Sequence, residues 1–335
     1  MNSRERVLST LSFEKVDRAP RQLWTLPGVT LFRNDELKIV KDKFPDDLGS
    51  PVYHYGRGKQ EKGTKGMVGI WVDEWGCVRE SKIPGVAGAI VGCPIDSWAA
   101  LDSYQPPWEV LDDADFSQIN RSCEHADKFM LLSSKAKPFT TMQMIRGMEQ
   151  LLYDLAYCEK ELYRLRDMIH EFNLRSVTMC AETDVDGVQL VDDWGTQISL
   201  LISPDLWREF FKPLYKEYCD ILLAKGKYIF FHSDGHIEAI YPDLIELGIH
   251  ALNSQVFCMD MDKLGRQYAG KIVFWGEMDR QHILPFGTED EVRNAVRRIA
   301  NTLRYNKSGV IAQCEWGAND PIENILTFFD EWEKI

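Results

Sequence analysis

His232, Asp234 and Cys314 are the residues most able to do chemistry, and each stands at the end of a short apolar run. His232 and Asp234 lie two apart, so both lean toward one point if the chain bends at Gly235. Cys314 closes a later run. Imidazole, carboxylate and thiolate together make a three-ligand set for catalytic zinc that leaves a fourth position open for substrate. The ordinary alternatives stay open: a lone histidine at a strand end is often a hydrogen-bonded structural residue, and a buried cysteine behaves as a small hydrophobe.

Other run ends are also polar. Asp192-Asp193-Trp194-Gly195 follows residues 187–191, and Asn253-Ser254-Gln255 follows 249–252. Gly276-Glu277-Met278-Asp279 follows 272–275, and Glu315 stands beside Cys314. The opposite ends carry turn residues such as Gly226, Gly248, Gly270 and Gly309. Carboxylates in such places commonly cap the next helix, which is the ordinary role for Asp192, Asp193 and Asp279. Asp234-Gly235-His236 also resembles the start of a cobalt-ligating motif. Ala239 stands where its glycine is required, and no glycine-rich nucleotide-binding sheet follows, so that reading fails.

The runs imply the elements that position these residues. Apolar runs at 19–26, 129–133, 187–191, 227–231, 249–252, 272–275 and 309–313 read as strands. Helical patterns lie at 1–17, 140–157, 159–182, 203–211, 214–224, 236–247, 288–304 and 321–334. Ser203-Pro204 is an N-cap with proline at the first helical position, and Thr288-x-x-Glu291 is a capping box. Short strands alternating with helices predict a parallel sheet covered by helices. No G-x-G-x-x-G follows an early strand, so the open dinucleotide-binding arrangement loses its main support. A (β/α)8 TIM barrel is expected, as a single domain over 1–335 with an irregular N-terminal elaboration at about 35–127 that contains β-like pieces such as Met67–Val72. Active-site groups of such barrels sit at the C-terminal ends of strands, where the polar residues above fall.

Composition narrows the function classes. With 44% apolar and 27% charged residues in 335, the chain can bury a large core and has no disordered signature. The net charge of −13 argues against nucleic acid and anionic membranes as partners. The start of the chain is charged and amphipathic rather than a signal core, and the run 85–95 is too short and glycine-broken to span a bilayer. Eight cysteines without CxxC spacing fit reduced thiols in a cytoplasm.

The ordered motifs carry a resemblance. Arg4-Glu5-Arg6-Val7-Leu8, Asp17-Arg18-Ala19-Pro20, Asp73-Glu74-Trp75-Gly76-Cys77, Gly187 through Gly195, the His232 loop, Phe274 through Asp279 with Leu284 through Thr288, and Pro321-Ile322-Glu323-Asn324 together resemble the superfamily of uroporphyrinogen decarboxylases and zinc-dependent methylcobamide methyltransferases. The family fold is a (β/α)8 barrel. The decarboxylases carry an arginine-rich R-Q-A-G-R loop after the first strand, and Arg21-Gln22-Leu23-Trp24 lacks the A-G-R part. The methyltransferases bind zinc through H-x-C-G and a later cysteine. His232 and Cys314 match that pattern, with Asp234 where the first cysteine is expected.

The resemblance therefore implies bound zinc on His232, Asp234 and Cys314, and methyl transfer from a methoxylated aromatic or similar donor to the cob(I)amide of a separate corrinoid protein. Glu277 or Glu315 would assist protonation. Asp192, Asp193, Trp194, Gln255 and Trp275 would contact substrate, with Phe231 and Trp316 also near the rim. For any single aromatic, barrel packing is the ordinary alternative. The competing readings are a thiol methyltransferase, a porphyrinogen decarboxylase and a metal-free binding barrel. A homodimer is allowed.

Overall fold

Strand alternation decides which side chains face the barrel interior and which face the surrounding helices. The computed structural model describes residues 1–86, 88–157 and 160–335; Cys158 and Glu159, assigned above to the thiols and to a helix, lie outside the described residues. Among the described residues, eleven strands run in chain order: β1 (Arg21–Thr25), β2 (Leu48–Gly49), β3 (Gly69–Val72), β4 (Val78–Ser81), β5 (Ala89–Gly92), β6 (Phe129–Ser133), β7 (Gly187–Val191), β8 (Tyr228–Ser233), β9 (Ala251–Ser254), β10 (Val273–Trp275) and β11 (Val310–Trp316). Eight of them form one sheet in the order β1-β11-β10-β9-β8-β7-β6-β2, with every pair parallel. The ends of that order meet at β1 and β2. There Asp47 N donates to Arg21 O at 2.9 Å, and Leu23 N donates to the Asp46 carboxylate at 2.7 Å. The result is the expected nearly closed (β/α)8 barrel.

Two interiors result. Leu48, Phe129, Leu131, Phe230, Ala251, Val273, Trp275 and Ile311 pack inside the barrel, and Val7 and Leu11 of the first helix, Ser3–Leu11, close its lower end. The alternate residues, among them Val188, Leu190, Ile229, Phe231, Leu252, Phe274 and Cys314, face the helices in a larger apolar shell. Each buried valine, leucine, isoleucine or phenylalanine among them contributes roughly 1.5–3 kcal/mol. Asp47 ties the lower end together, accepting from Arg6 and Arg18 at 2.6 Å each and from Arg21 N at 2.9 Å.

Two sequence expectations need correction, and the β-like reading of Met67–Val72 is borne out. The second barrel strand, β2, is two residues long and lies inside the stretch read as irregular, because so short a strand leaves no periodic pattern. Met67–Val72 contributes β3, which belongs to a separate antiparallel sheet, β3-β4-β5, beside the barrel. The helix expected over 140–157 divides at Gly147 (φ +85°) into Pro138–Arg146 and Met148–Tyr157. The capping residues behave as expected: Ser203 accepts from Leu206 N, and Thr288 and Glu291 form their reciprocal pair. No helix among the described residues is long and apolar enough to cross a membrane.

Candidate metal centre at the barrel mouth

His232 is the fifth residue of β8, in register with Val191 of β7 and Asn253 of β9. Phe230 points into the barrel, so His232, two residues on, does the same one layer higher. Its Nδ1 lies 2.6 Å from Asn253 Oδ1, an acceptor, which places the proton on Nδ1 and leaves the Nε2 lone pair free. Asn253 is fixed in turn, donating to Trp275 O at 2.5 Å and to Gln313 Oε1 at 3.0 Å. A histidine oriented by a hydrogen-bonded partner on its far nitrogen is the arrangement that metal-ligating imidazoles use. The imidazole rests on Trp24, with ring centroids 5.3 Å apart.

Two carboxylates face Nε2. Asp193 Oδ1 is 3.5 Å away and Asp234 Oδ1 is 3.7 Å away. Asp193, His232 and Asp234 each offer one ligand atom, all within 4.8 Å of one another. One nitrogen and two oxygens at this spacing fit zinc or a similar divalent ion with coordination positions left over. The loops that carry them touch backbone to backbone. Gly195 N donates to Asp234 O at 3.0 Å, and Asp234 N donates to Asp193 Oδ1 at 3.1 Å. Only glycines allow this approach. Gly235 has φ +82°, and a Cβ there would sit 2.3 Å from the Gly195 carbonyl carbon and oxygen. Gly235→Ala is therefore expected to destabilise the fold by about 2–4 kcal/mol, from overpacking and left-handed strain together, and to weaken metal binding; thermal unfolding and a metal titration on the same sample check it.

The expected ligand Cys314 is not part of this cluster. Strand β11 does not end at residue 313 but continues to Trp316, paired along β1 with Leu23 opposite Cys314. Alternation then sends Gln313 and Glu315 inward and turns Cys314 to the helix shell, fully buried. Burial raises its thiol well above the ordinary value, opposite to what a thiolate ligand requires. Asp193, read as a substrate contact, stands where the third ligand was sought.

The aromatic and acidic expectations divide in the same way. Trp194 faces the helices, stacks on Phe139 at 4.1 Å and donates its indole N–H to Tyr215. Phe231 and Trp316 are also buried in the helix shell. Trp275 fills the barrel interior below the site, edge-on to Trp24 at 5.0 Å. Asp192 is wholly buried and caps the helix Pro138–Arg146, accepting from Phe139 N, Thr140 N, Thr140 Oγ1 and Tyr215 OH. Burial still pushes its carboxyl up to about 6. These five residues are packing and capping groups, not pocket walls.

Glu277, Glu315 and Gln255 do reach the mouth, gathered by a residue that spacing did not single out. Arg280 bonds Asp234 Oδ1 at 2.5 Å, contacts Glu277 Oε1 at 3.3 Å and pairs with Glu315. Its signal was available, since Arg280 lies three residues after Glu277. Gln255 accepts from Gly235 N at 3.1 Å, and its amide lies 3.4 Å from Asp234 Oδ1. Glu277 is 2% exposed, and burial, against the pull of Arg280 and reinforced by Asp234 and Glu315, raises its carboxyl to about 8. Beside it opens a cavity of about 250 Å³ lined by Gln197, Gln255, Phe257, Cys258, Glu277 and Arg280, among others. Cys258 is a half-buried thiol pushed up to about 11, mainly by burial.

A parallel eight-stranded barrel with a histidine–carboxylate cluster and a buried glutamate at its C-terminal rim is the arrangement of a barrel enzyme. Residues 82–335 match the uroporphyrinogen decarboxylase (URO-D) family model, and the chain belongs to that family. Barrel strands β1 and β2 lie ahead of the matched region. A methyltransferase from Methanosarcina mazei superposes with a TM-score of 0.71 over 100% of this chain and 99% of that one, at 15% identity, so the two share a fold. The GH18 chitinase ChiB of Flavobacterium johnsoniae aligns over 94% of each chain at 8% identity with a TM-score of 0.42, too distant to carry weight. No curated protein matches significantly.

Proposed function

We propose that the protein is a metal-dependent methyltransferase that moves a methyl group from a methoxylated aromatic, or a similar ether, to the cob(I)amide of a separate corrinoid protein. The observation that carries the reading is the pairing of a one-nitrogen, two-oxygen ligand cluster with the buried acid Glu277. A thiol acceptor would call for soft thiolate ligands, and Cys314 faces away. Asp193, His232 and Asp234 would hold the metal, which supplies Lewis acidity to the leaving oxygen when bound.

The remaining chemistry belongs to this chain. Transfer breaks the O–CH3 bond, its electron pair stays on oxygen, and the departing phenolate needs a proton. Glu277 carries one at neutral pH and stands at the edge of the 250 Å³ cavity. Arg280 neutralises Asp234 and Glu315 and orients Glu277. Asp234 Oδ1 is engaged by Arg280, so a bound cation would take Oδ2 or displace the guanidinium. The corrinoid must reach the methyl group from solvent, and Ile198, in the loop after β7, and Phe286, at the end of the short helix Ile283–Phe286 after β10, each 83% exposed, offer apolar contacts there.

The test is incubation of the metal-loaded protein with reduced corrinoid protein and a panel of methoxyphenols, following methylcobamide by its absorbance. Formation with an ether donor supports the reading. Methyl transfer only between methylcobamide and a thiol, or no metal retained under reducing conditions, would overturn it.

A further inference from the structure

The inward-facing side chains of the barrel are not buried evenly. In the lower layers Leu131, Phe230, Val273, Trp275 and Ile311 are at most 7% exposed. Above them Asn253 of β9 and Gln313 of β11 are also wholly buried. On the opposite side the upper inward residues are only partly buried: Gln22 and Trp24 of β1, Ser133 of β6, Gln189 and Val191 of β7, and His232 of β8. The mouth therefore deepens there into a cleft, with Trp275 and Phe230 in edge-on contact beneath it. Trp24 lies 5.3 Å from the His232 ring, so the cleft reaches the metal cluster directly. Asp234 and Arg280 stand between it and the cavity beside Glu277.

This cleft is rich in donors and short of acceptors. The indole N–H of Trp275 can only donate, and Gln22 Oε1 receives it at 2.9 Å. That bond fixes the Gln22 amide, whose Nε2 has no acceptor among the described residues. Gln189 repeats the pattern: its Oε1 accepts from Ser133 Oγ at 2.8 Å, and its Nε2 has no acceptor among the described residues. The indole N–H of Trp24 has none either. Gln313, in register with Gln22, accepts from Asn253 and leaves its buried Nε2 without a partner. Interior donors are ordinarily paired, so a surplus around one opening marks a place for an acceptor. The donors are neutral, and the charged groups facing His232 Nε2 are the carboxylates Asp193 and Asp234. Neutral donors beside an aromatic ring suit an uncharged planar ligand that carries an acceptor oxygen.

We propose that Gln22, Trp24 and Gln189 bind and orient the methyl donor, an uncharged methoxylated ring with a second, acceptor oxygen. The ring lies against Trp24, and the two amides hold the second oxygen while the methyl ether meets the metal cluster. That the ligand is a methyl donor rests on the proposed methyl transfer; the donor-lined cleft does not.

Calorimetric titration of the full-length protein with 4-methoxybenzamide, 4-methylanisole and 4-methoxybenzoate tests this. The benzamide is expected to bind about 10-fold more tightly than 4-methylanisole, which lacks a second acceptor, the worth of one or two neutral hydrogen bonds. It should also bind more tightly than the anionic benzoate. Gln22→Glu keeps the oxygen that Trp275 uses and removes the free N–H groups, whereas Gln22→Met removes the whole amide. Each should cut the preference for the benzamide at least about threefold, and Trp24→Leu should weaken all three ligands. A purely structural role for Gln22 would shift thermal stability and leave the preference unchanged. Equal binding of benzamide and 4-methylanisole, tighter binding of the benzoate, or a preference unchanged in both Gln22 variants would overturn the assignment. A Gln22-dependent preference without methylcobamide formation would remove the proposed reaction and leave the binding site standing.

Discussion

Asp193→Asn is expected to lower zinc affinity at least about 100-fold, while Cys314→Ala leaves it within about twofold. The contrast follows from strand geometry. Asp193 Oδ1 lies 3.5 Å from the free nitrogen of His232, and removing its charge leaves one nitrogen and one carboxylate, too few for a tightly held divalent ion. Cys314 is one residue out of phase with the inward-facing side of β11, and its thiol sits in the helix shell with no path to the mouth. Its truncation should cost about 1 kcal/mol of stability through a small cavity and nothing in metal binding. Competition with a chromophoric chelator, run beside thermal unfolding, reads both quantities. Zinc lost from Cys314→Ala with Asp193→Asn unaffected would falsify the cluster described here.

Glu277→Gln should reduce methyl transfer by about 10²–10⁴-fold, the usual contribution of a positioned general acid. The unsubstituted protein should lose activity as pH rises through about 8, where Glu277 gives up its proton. The residual activity of Glu277→Gln should show no such step. Stability supplies an independent check with a definite sign. An ordinary glutamate titrates near 4.5, and this one near 8 when folded. Between those values the folded state holds a proton that the unfolded chain has released, so stability falls as pH rises from about 4.5 to about 8. Glutamine cannot titrate, so Glu277→Gln should flatten that decline. Rates and denaturant midpoints measured across pH 5–9 test both effects. A step near pH 8 that persists in Glu277→Gln would assign it to another group.

These two substitutions act on residues of unequal legibility. Glu277 was visible from spacing because it follows a clear apolar run, and His232 for the same reason. Asp193 was visible as a rim residue but not as a ligand. Its distance from His232 depends on two glycines, Gly195 and Gly235, meeting across loops 40 residues apart. Arg280 was adjacent to a motif and passed over, since its three carboxylate partners come from residues 234, 277 and 315.

Local pattern was enough to specify most of the helices that follow the later strands, the caps at Ser203 and Thr288, seven of the eight barrel strands, the rim on which chemistry belongs and the family; the helices Asn34–Lys43 and Met261–Tyr268 were not read from it. Periodicity and capping act within a few residues and are written directly in the chain. The eighth strand, the phase of β11 and the composition of the metal cluster were settled only by packing. A strand of two residues carries no period, and extending β11 by three residues turns Cys314 away from the site. His232, Asp234 and Cys314 share one rim in sequence, but inward and outward positions alternate along every strand. Register across the barrel determines which side chains meet, and it delivers Asp193 to His232 in place of the thiol.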